Sequence, residues 1–362
     1  LSDSGKFSQS TPRLPLAFSA RQWLGMALLF LGLTGLGVLS VYWQVEGVRW
    51  QWDSALLAPT FLLSALGLLG VYFAADGLRL WCTLKALGYP IRGRDMAQLV
   101  FLNIFVSNIT PLATGGGVAQ VWFLRRHQVP VGVAMTATTI RTVLAILMIF
   151  TAAPILWSLL PDLGGSARGL IQTGLWLTIG VYATGFALVL FKTDWLIRAL
   201  LVLMAGLCRI RLLPYARFAY IRRHWIREMR RFSRGFRHYF AGGWFWVMSS
   251  VVSTAVFLLA LFSFPALIFQ ALGYELSYWL SLAKMVVTTF IMYFSPTPGG
   301  SGIAEGVFGR FFSADLLTTH LVLAVVVWRS LTIYLGMLIG LMVTVRWLRP
   351  SPNHSSVGKG IS

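Results

Sequence analysis

An all-α polytopic membrane protein is the fold class this sequence predicts, with about six full transmembrane helices plus two re-entrant, Pro/Gly-broken helical hairpins related as an inverted repeat. Three observations predict it. The 362 residues are 57% apolar and only 11% charged, whereas soluble chains carry about 25% charge. Apolar runs of membrane length recur along the chain, and a Pro/Gly motif twice breaks an apolar stretch. The composition excludes a soluble enzyme and a disordered chain. Its formal net charge of +19 fits Arg-rich cytoplasmic loops and contact with anionic lipid, not nucleic-acid binding. Cys82 and Cys208 show no metal or redox spacing.

Unbroken apolar runs predict helices over 22–43, 55–75, 131–158, 169–191, 242–271 and 316–345. The first has a basic flank, Arg13 and Arg21, but its length and the lack of a small-residue cleavage site favour a retained helix over a signal peptide. Stretches 97–127 and 277–313 are the broken ones, and 195–208 reads as interfacial. In 215–240, Phe218, Ile221, Trp225, Met229, Phe232, Phe236 and Tyr239 recur at helical steps between arginines. That pattern predicts a basic amphipathic helix on the inner leaflet, partnered by anionic lipid. The domain reading is therefore a cytoplasmic tail 1–20, one membrane domain 21–348 and a polar tail 349–362. Within the membrane domain lie a first repeat of about 55–191, the basic segment 209–240 and a second repeat of about 242–348.

Loop charges orient the chain. Segment 76–96 holds Arg79, Lys85, Arg92 and Arg94, and 209–237 holds ten arginines against Glu228, so both are assigned to the cytoplasm with the two termini. The loop 44–54, with Glu46, Arg49 and Asp53, segment 161–168 and Glu275 fall outside. Parity then requires each broken stretch to dip into the membrane and return, the first from inside and the second from outside.

The two broken stretches share a motif. Thr110-Pro111 with Gly115, Gly117, Val118, Ala119, Gln120, Phe123 and Arg125 aligns without a gap to Ser295-Pro296 with Gly300, Gly302, Ile303, Ala304, Glu305, Phe308 and Arg310, while Gly116 stands opposite Ser301 and Gly299 opposite Thr114. Proline ends the incoming helix and glycine allows a turn or a close approach. A short helix is expected to start after Gly117 and after Gly302, offering unpaired N–H groups to a phosphate or carboxylate. A long apolar helix with one arginine follows each motif, Arg141 in the first repeat and Arg329 in the second. Such an arginine costs roughly 2.5–3.5 kcal/mol at mid-membrane, so each requires a carboxylate or an anionic ligand. Glu305 is the natural partner of Arg329, Asp76 and Arg79 are spaced to pair, and Lys284 is a further buried cation. The substrate-binding candidates are Thr110, Gly115, Gly116, Gly117, Gln120, Arg141, Lys284, Ser295, Gly299, Gly300, Gly302, Glu305 and Arg329. Histidines 127, 224, 238, 320 and 354 form no metal-ligand spacing, and no Asp-x-Asp, Walker or Gly-x-Ser-x-Gly motif is present. No cofactor, metal or catalytic nucleophile is expected.

Asn108-Ile-Thr110-Pro111 with Gly115-Gly116-Gly117, the Ser295-Pro-Thr-Pro-Gly-Gly-Ser-Gly-Ile-Ala-Glu305-Gly306 segment, and Trp328-Arg329 resemble the signature of the lysylphosphatidylglycerol synthase transmembrane-region family, also called flippase-like domain proteins. The resemblance covers about residues 20–348. It implies a multi-pass protein of a bacterial inner membrane that moves lipid between leaflets. Two-part relatives add a cytosolic aminoacyl-transferase domain, which is not expected in the polar tail after Arg349. Where many relatives carry Glu in the first motif, this chain has Gln120. The expected function is transport of a phosphate-bearing lipid, of phospholipid or polyprenyl-phosphate type, through a cavity between the hairpins. The alternatives are a membrane-embedded transferase with Glu305 as general base, or a scaffold for a separate synthase. A homo-oligomer is a further partner reading, and nucleic acid is not one.

Overall fold

A computed structural model of the protein describes residues 53–158, 168–191 and 234–348, with isolated positions between 25 and 39. The tails, most of the 22–43 span, the 195–208 segment and most of the basic 209–240 segment lie outside the described residues. All regular structure among the described residues is helical.

The helices are α1 (Pro59–Ala86), α2 (Gly93–Ile109), α3 (Thr114–Arg126), α4 (Val131–Ser158), α5 (Arg168–Phe191), α6 (Trp244–Ala271), α7 (Tyr278–Met292), α8 (Ile303–Phe312), α9 (Thr318–Arg329) and α10 (Leu335–Leu348). Proline at the first position opens α1, where no N–H is missed. A five-residue π-helical turn, Ser330–Tyr334, joins α9 to α10, so the run from Thr318 to Arg346 is membrane-length and continuous. That run, α1, α4 and α6 are each long and apolar enough to cross a bilayer. The α1 helix extends to Ala86, eleven residues past the apolar run that predicts it, and its C-terminal half carries charged side chains, Asp76 and Arg79, that are buried against protein.

Both Pro/Gly motifs produce a helix, a tight turn and a shorter helix. The turns are 3-10 segments at Pro111–Ala113 and Pro298–Gly300, and they touch one another. Packing between the halves is reciprocal: α1 lies along α6, α2 along α10, and α7 along α4. Glycine makes one of these approaches possible, since a Cβ on Gly340 of α10 would stand 2.2 Å from the Phe101 carbonyl oxygen of α2.

Burial separates into two apolar cores. One gathers Ala65, Leu69, Tyr72 and Ala75 of α1, Ile149 and Phe150 of α4, Phe257 to Phe269 of α6, and residues of α7, α8 and α9. The other gathers Leu80 and Leu84 of α1, Leu99 to Ile109 of α2, Phe123, Ala134 to Ile140 of α4, and Val247 of α6. Between them runs a polar layer: Asp76 and Arg79 on α1, Arg141 on α4, and Ser250, Ser253 and Thr254 on α6, all buried. Phe236 and Tyr239 of the amphipathic segment join the second core's neighbourhood, and the Tyr239 hydroxyl bonds Ser250 at 2.5 Å. These two side chains therefore face protein, not the leaflet on which the sequence pattern puts them.

Candidate functional site

In the polar layer three charges meet. Asp76 and Arg79 stand one turn apart on α1, and Arg141 reaches them from α4. A single oxygen, Asp76 Oδ1, accepts from Arg79 Nε at 2.8 Å, from Arg79 Nη2, and from Arg141 Nη2 at 2.5 Å. None of the three residues is more than 7% exposed. The Phe257 ring of α6 lies under the Arg79 guanidinium, 3.7 Å from carbon to centroid, a desolvated cation–π contact. Tyr293, at the end of α7 where the second turn begins, is within electrostatic reach of Arg79. Two guanidiniums on one carboxylate leave one positive charge that no described acid matches, and Arg141 Nε is buried with no hydrogen-bond partner among the described residues. A buried charge so placed is costly unless something pairs with it.

The second repeat is built differently. Glu305 on α8 sits fully buried 2.6 Å from Arg329 Nε of α9. Its other oxygen accepts the Gly302 N–H at 2.7 Å, satisfying a backbone donor at the start of α8. Arg329 Nη1 donates to the Gly299 carbonyl at 3.3 Å, and Nη2 approaches the Gly300 carbonyl at 3.5 Å. Arg329 is thus charge-paired with Glu305 and bonded to the turn, tying α9 to it, while its Nε, like Arg141 Nε, makes no hydrogen bond among the described residues. Lys284 of α7 pairs with Asp315 just after α8. Both pairs are neutral.

The first turn differs from the second in register. The α3 helix begins at Thr114, four residues earlier than expected, so Gly115, Gly116 and Gly117 lie in its first turn. Thr110 Oγ1 accepts the Gly115 N–H at 3.0 Å, taking one of the orphan donors. Leu112 and Ala113 hold the left-handed backbone, with φ of 54° and 53°. Non-glycine residues persist there only when their surroundings enforce it. In the second turn that conformation falls on Gly299, Gly300 and Gly302. Gly115 and Gly116 serve close approach instead: a Cβ on Gly116 would lie 1.8 Å from Ser107 Oγ. Gln120 donates to Asn103 of α2, and its Oε1 is buried without a partner among the described residues.

The candidates therefore divide. Thr110, Gly115, Gly116 and Gln120 hold the first hairpin together; Ser295, Gly299, Gly300, Gly302, Glu305 and Arg329 hold the second; Lys284 pairs beside it. Gly117 has no heavy atom within 4 Å of a built Cβ. The Ser295 hydroxyl bonds that of Thr297 at 2.8 Å. Arg141 is the candidate that meets unmatched charge. Its partner Asp76 is 65 residues away on another helix, and no periodicity signals such a pair. Neither Asp315 nor Asn103 announces itself in the sequence as a partner of Lys284 or Gln120.

Helices of membrane length, apolar cores divided by a buried charged layer, and two Pro/Gly turns that touch one another define a multi-pass helical membrane protein. The chain matches the family described as "Lysylphosphatidylglycerol synthase TM region" over residues 14–340, and it belongs to that family. A relative from Archaeoglobus fulgidus, a UPF0104 membrane protein, is 25% identical over 328 residues, covering 85% of this chain and 93% of its own.

Proposed function

We propose that the protein moves a phosphate-bearing lipid between the two leaflets, holding the phosphate at the Asp76–Arg79–Arg141 cluster. The observation that carries this reading is the guanidinium charge that no described acid matches, with Arg141 Nε buried and without a hydrogen-bond partner among the described residues. An anion there would take up the spare donor and the spare charge together, as phosphate does with arginine.

The hairpin geometry supports the transport part of the reading. At 1.5 Å per residue the short arms α3 and α8 are about 20 and 15 Å long, below the roughly 30 Å of a bilayer's hydrocarbon core. Neither arm spans a bilayer alone, which supports hairpins that return to the face from which they start. Broken helices whose turns touch and two halves packed reciprocally are what an inverted repeat rocking about a central site would have. Membership of the family agrees with it.

Leaflet-resolved translocation of a fluorescent phosphatidylglycerol in proteoliposomes tests the proposal. Arg141→Gln is expected to slow translocation at least about tenfold, the worth of one charge-assisted hydrogen bond. An unchanged rate in a correctly folded Arg141→Gln protein overturns the site.

A further inference from the structure

Resting on the transport reading, we infer that the Asp76–Arg79–Arg141 cluster selects a phosphate carrying one negative charge, a phosphodiester, over the doubly charged phosphomonoester. Charge must be matched in a buried layer. Two guanidiniums share one carboxylate oxygen, so the cluster carries a single surplus positive charge. The other buried ion pairs among the described residues, Glu305 with Arg329 and Lys284 with Asp315, are each already balanced. No described cation at this depth remains to neutralise a second phosphate charge.

The surroundings sharpen the selection. Apolar cores close the layer on either side along α1 and α4, and Phe257 covers the face of Arg79. Uncompensated charge is most costly where water is least available. A phosphodiester brings the cluster to neutrality; a dianion would leave it negative, with the Asp76 carboxylate close to the incoming oxygens. The donors fit as well. Arg141 Nε has no partner among the described residues, and the one bond that Arg141 gives to Asp76 comes from Nη2. The cluster also assigns Asp76 a role besides buttressing: it sets the charge of the ligand by cancelling one of two arginines.

Binding to purified protein in uncharged detergent tests this, read as the ligand-dependent rise in unfolding temperature. The probes are dioctanoyl phosphatidylglycerol (a phosphodiester), dodecyl phosphate at pH 8.5 (a dianion, its second pKa being about 6), dioctanoylglycerol (neutral) and soluble glycerophosphoglycerol (the headgroup alone). The wild type is expected to bind phosphatidylglycerol at least about tenfold more tightly than dodecyl phosphate, the scale of one ill-matched charge. Asp76→Asn, which leaves two positive charges, should reverse that preference; Arg141→Gln, which leaves none, should abolish the distinction and weaken both. Should Asp76→Asn fail to fold, Arg79→Gln takes its place and is expected to behave as Arg141→Gln does. A wild type that prefers dodecyl phosphate, with Arg141 needed for binding, overturns the charge assignment and leaves the transport reading standing. Equal binding of all lipids, insensitive to Arg141→Gln, overturns both. Glycerophosphoglycerol binding as tightly as the lipid keeps the charge assignment and overturns a lipid as its source.

Discussion

Removing the Asp76 carboxylate would strand two guanidiniums in a layer that holds no other described acid, and breaking a buried pair in this way costs about 3–5 kcal/mol. Asp76→Ala is therefore expected to lower the unfolding temperature far more than Arg141→Met, which leaves the Asp76–Arg79 pair intact and removes the surplus charge. Thermal unfolding of the two variants in the same detergent checks this, and equal stability would mean that the cluster is solvated. At this scale the sequence is legible in part. The three-residue spacing of Asp76 and Arg79 puts them on one helical face, and Glu305 is the sole acid of the duplicated motif, so its pairing with Arg329 is readable. That Arg141 joins Asp76 is not readable, because it depends on how α4 docks against α1. Local spacing specifies neighbours within a helix; tertiary packing specifies the rest.

Helices in lipid approach one another through small residues, and α10 meets α2 through Gly336 and Gly340. A Cβ at Gly340 would sit 2.2 Å from a backbone oxygen of α2, and one at Gly336 would sit 3.0 Å from Ile104 Cγ2. Backbone cannot step aside as a flexible side chain can. Gly340→Ala is expected to destabilise by about 1–3 kcal/mol through overpacking, whereas Gly67→Ala, with nothing within 4 Å of the new methyl, should gain up to about 1 kcal/mol from helix propensity. Unfolding curves for the pair measure the contrast, and a neutral Gly340→Ala would argue that α2 and α10 slide freely. Helix existence and most ends follow from the apolar runs and the Pro/Gly punctuation. The start of α3 does not, since its glycines suggest a flexible turn. Thr110 instead caps the Gly115 N–H and the strain falls on Leu112 and Ala113, so the chain turns before the glycines and uses them for contact with α2. The same motif in the second half spends its glycines on the turn itself. A duplicated pattern thus specifies two hairpins without specifying one geometry.

For the molecule as a whole, the transport proposal requires that the hairpins open to opposite faces, and exposed loop positions make that measurable. Tyr89, between α1 and α2, and Arg125, near the end of α3, are both exposed, as are Ser277 before α7 and Leu317 before α9. If each hairpin enters and returns, Tyr89→Cys and Arg125→Cys react with a membrane-impermeant maleimide from one side, and Ser277→Cys and Leu317→Cys react only from the other. Cys82 is buried in α1; it and Cys208 are replaced first so that every label reports an introduced thiol. By the positive-inside distribution the first pair is expected to react from the cytoplasmic side, because Arg92, Arg94, Arg125 and Arg126 flank that hairpin. Labelling of Tyr89→Cys and Arg125→Cys from opposite sides would make α2 and α3 a full crossing. It would break the parity between the repeats and remove the symmetry on which a rocking mechanism depends. Labelling of all four positions from one face would be as damaging, since two hairpins inserted in the same sense present their turns to the same leaflet. Opposed labelling, with Arg141→Gln leaving the pattern unchanged, would separate the architecture from the chemistry of the cluster. Topology would then rest on the hairpins, and ligand charge on three side chains lying between the two apolar cores.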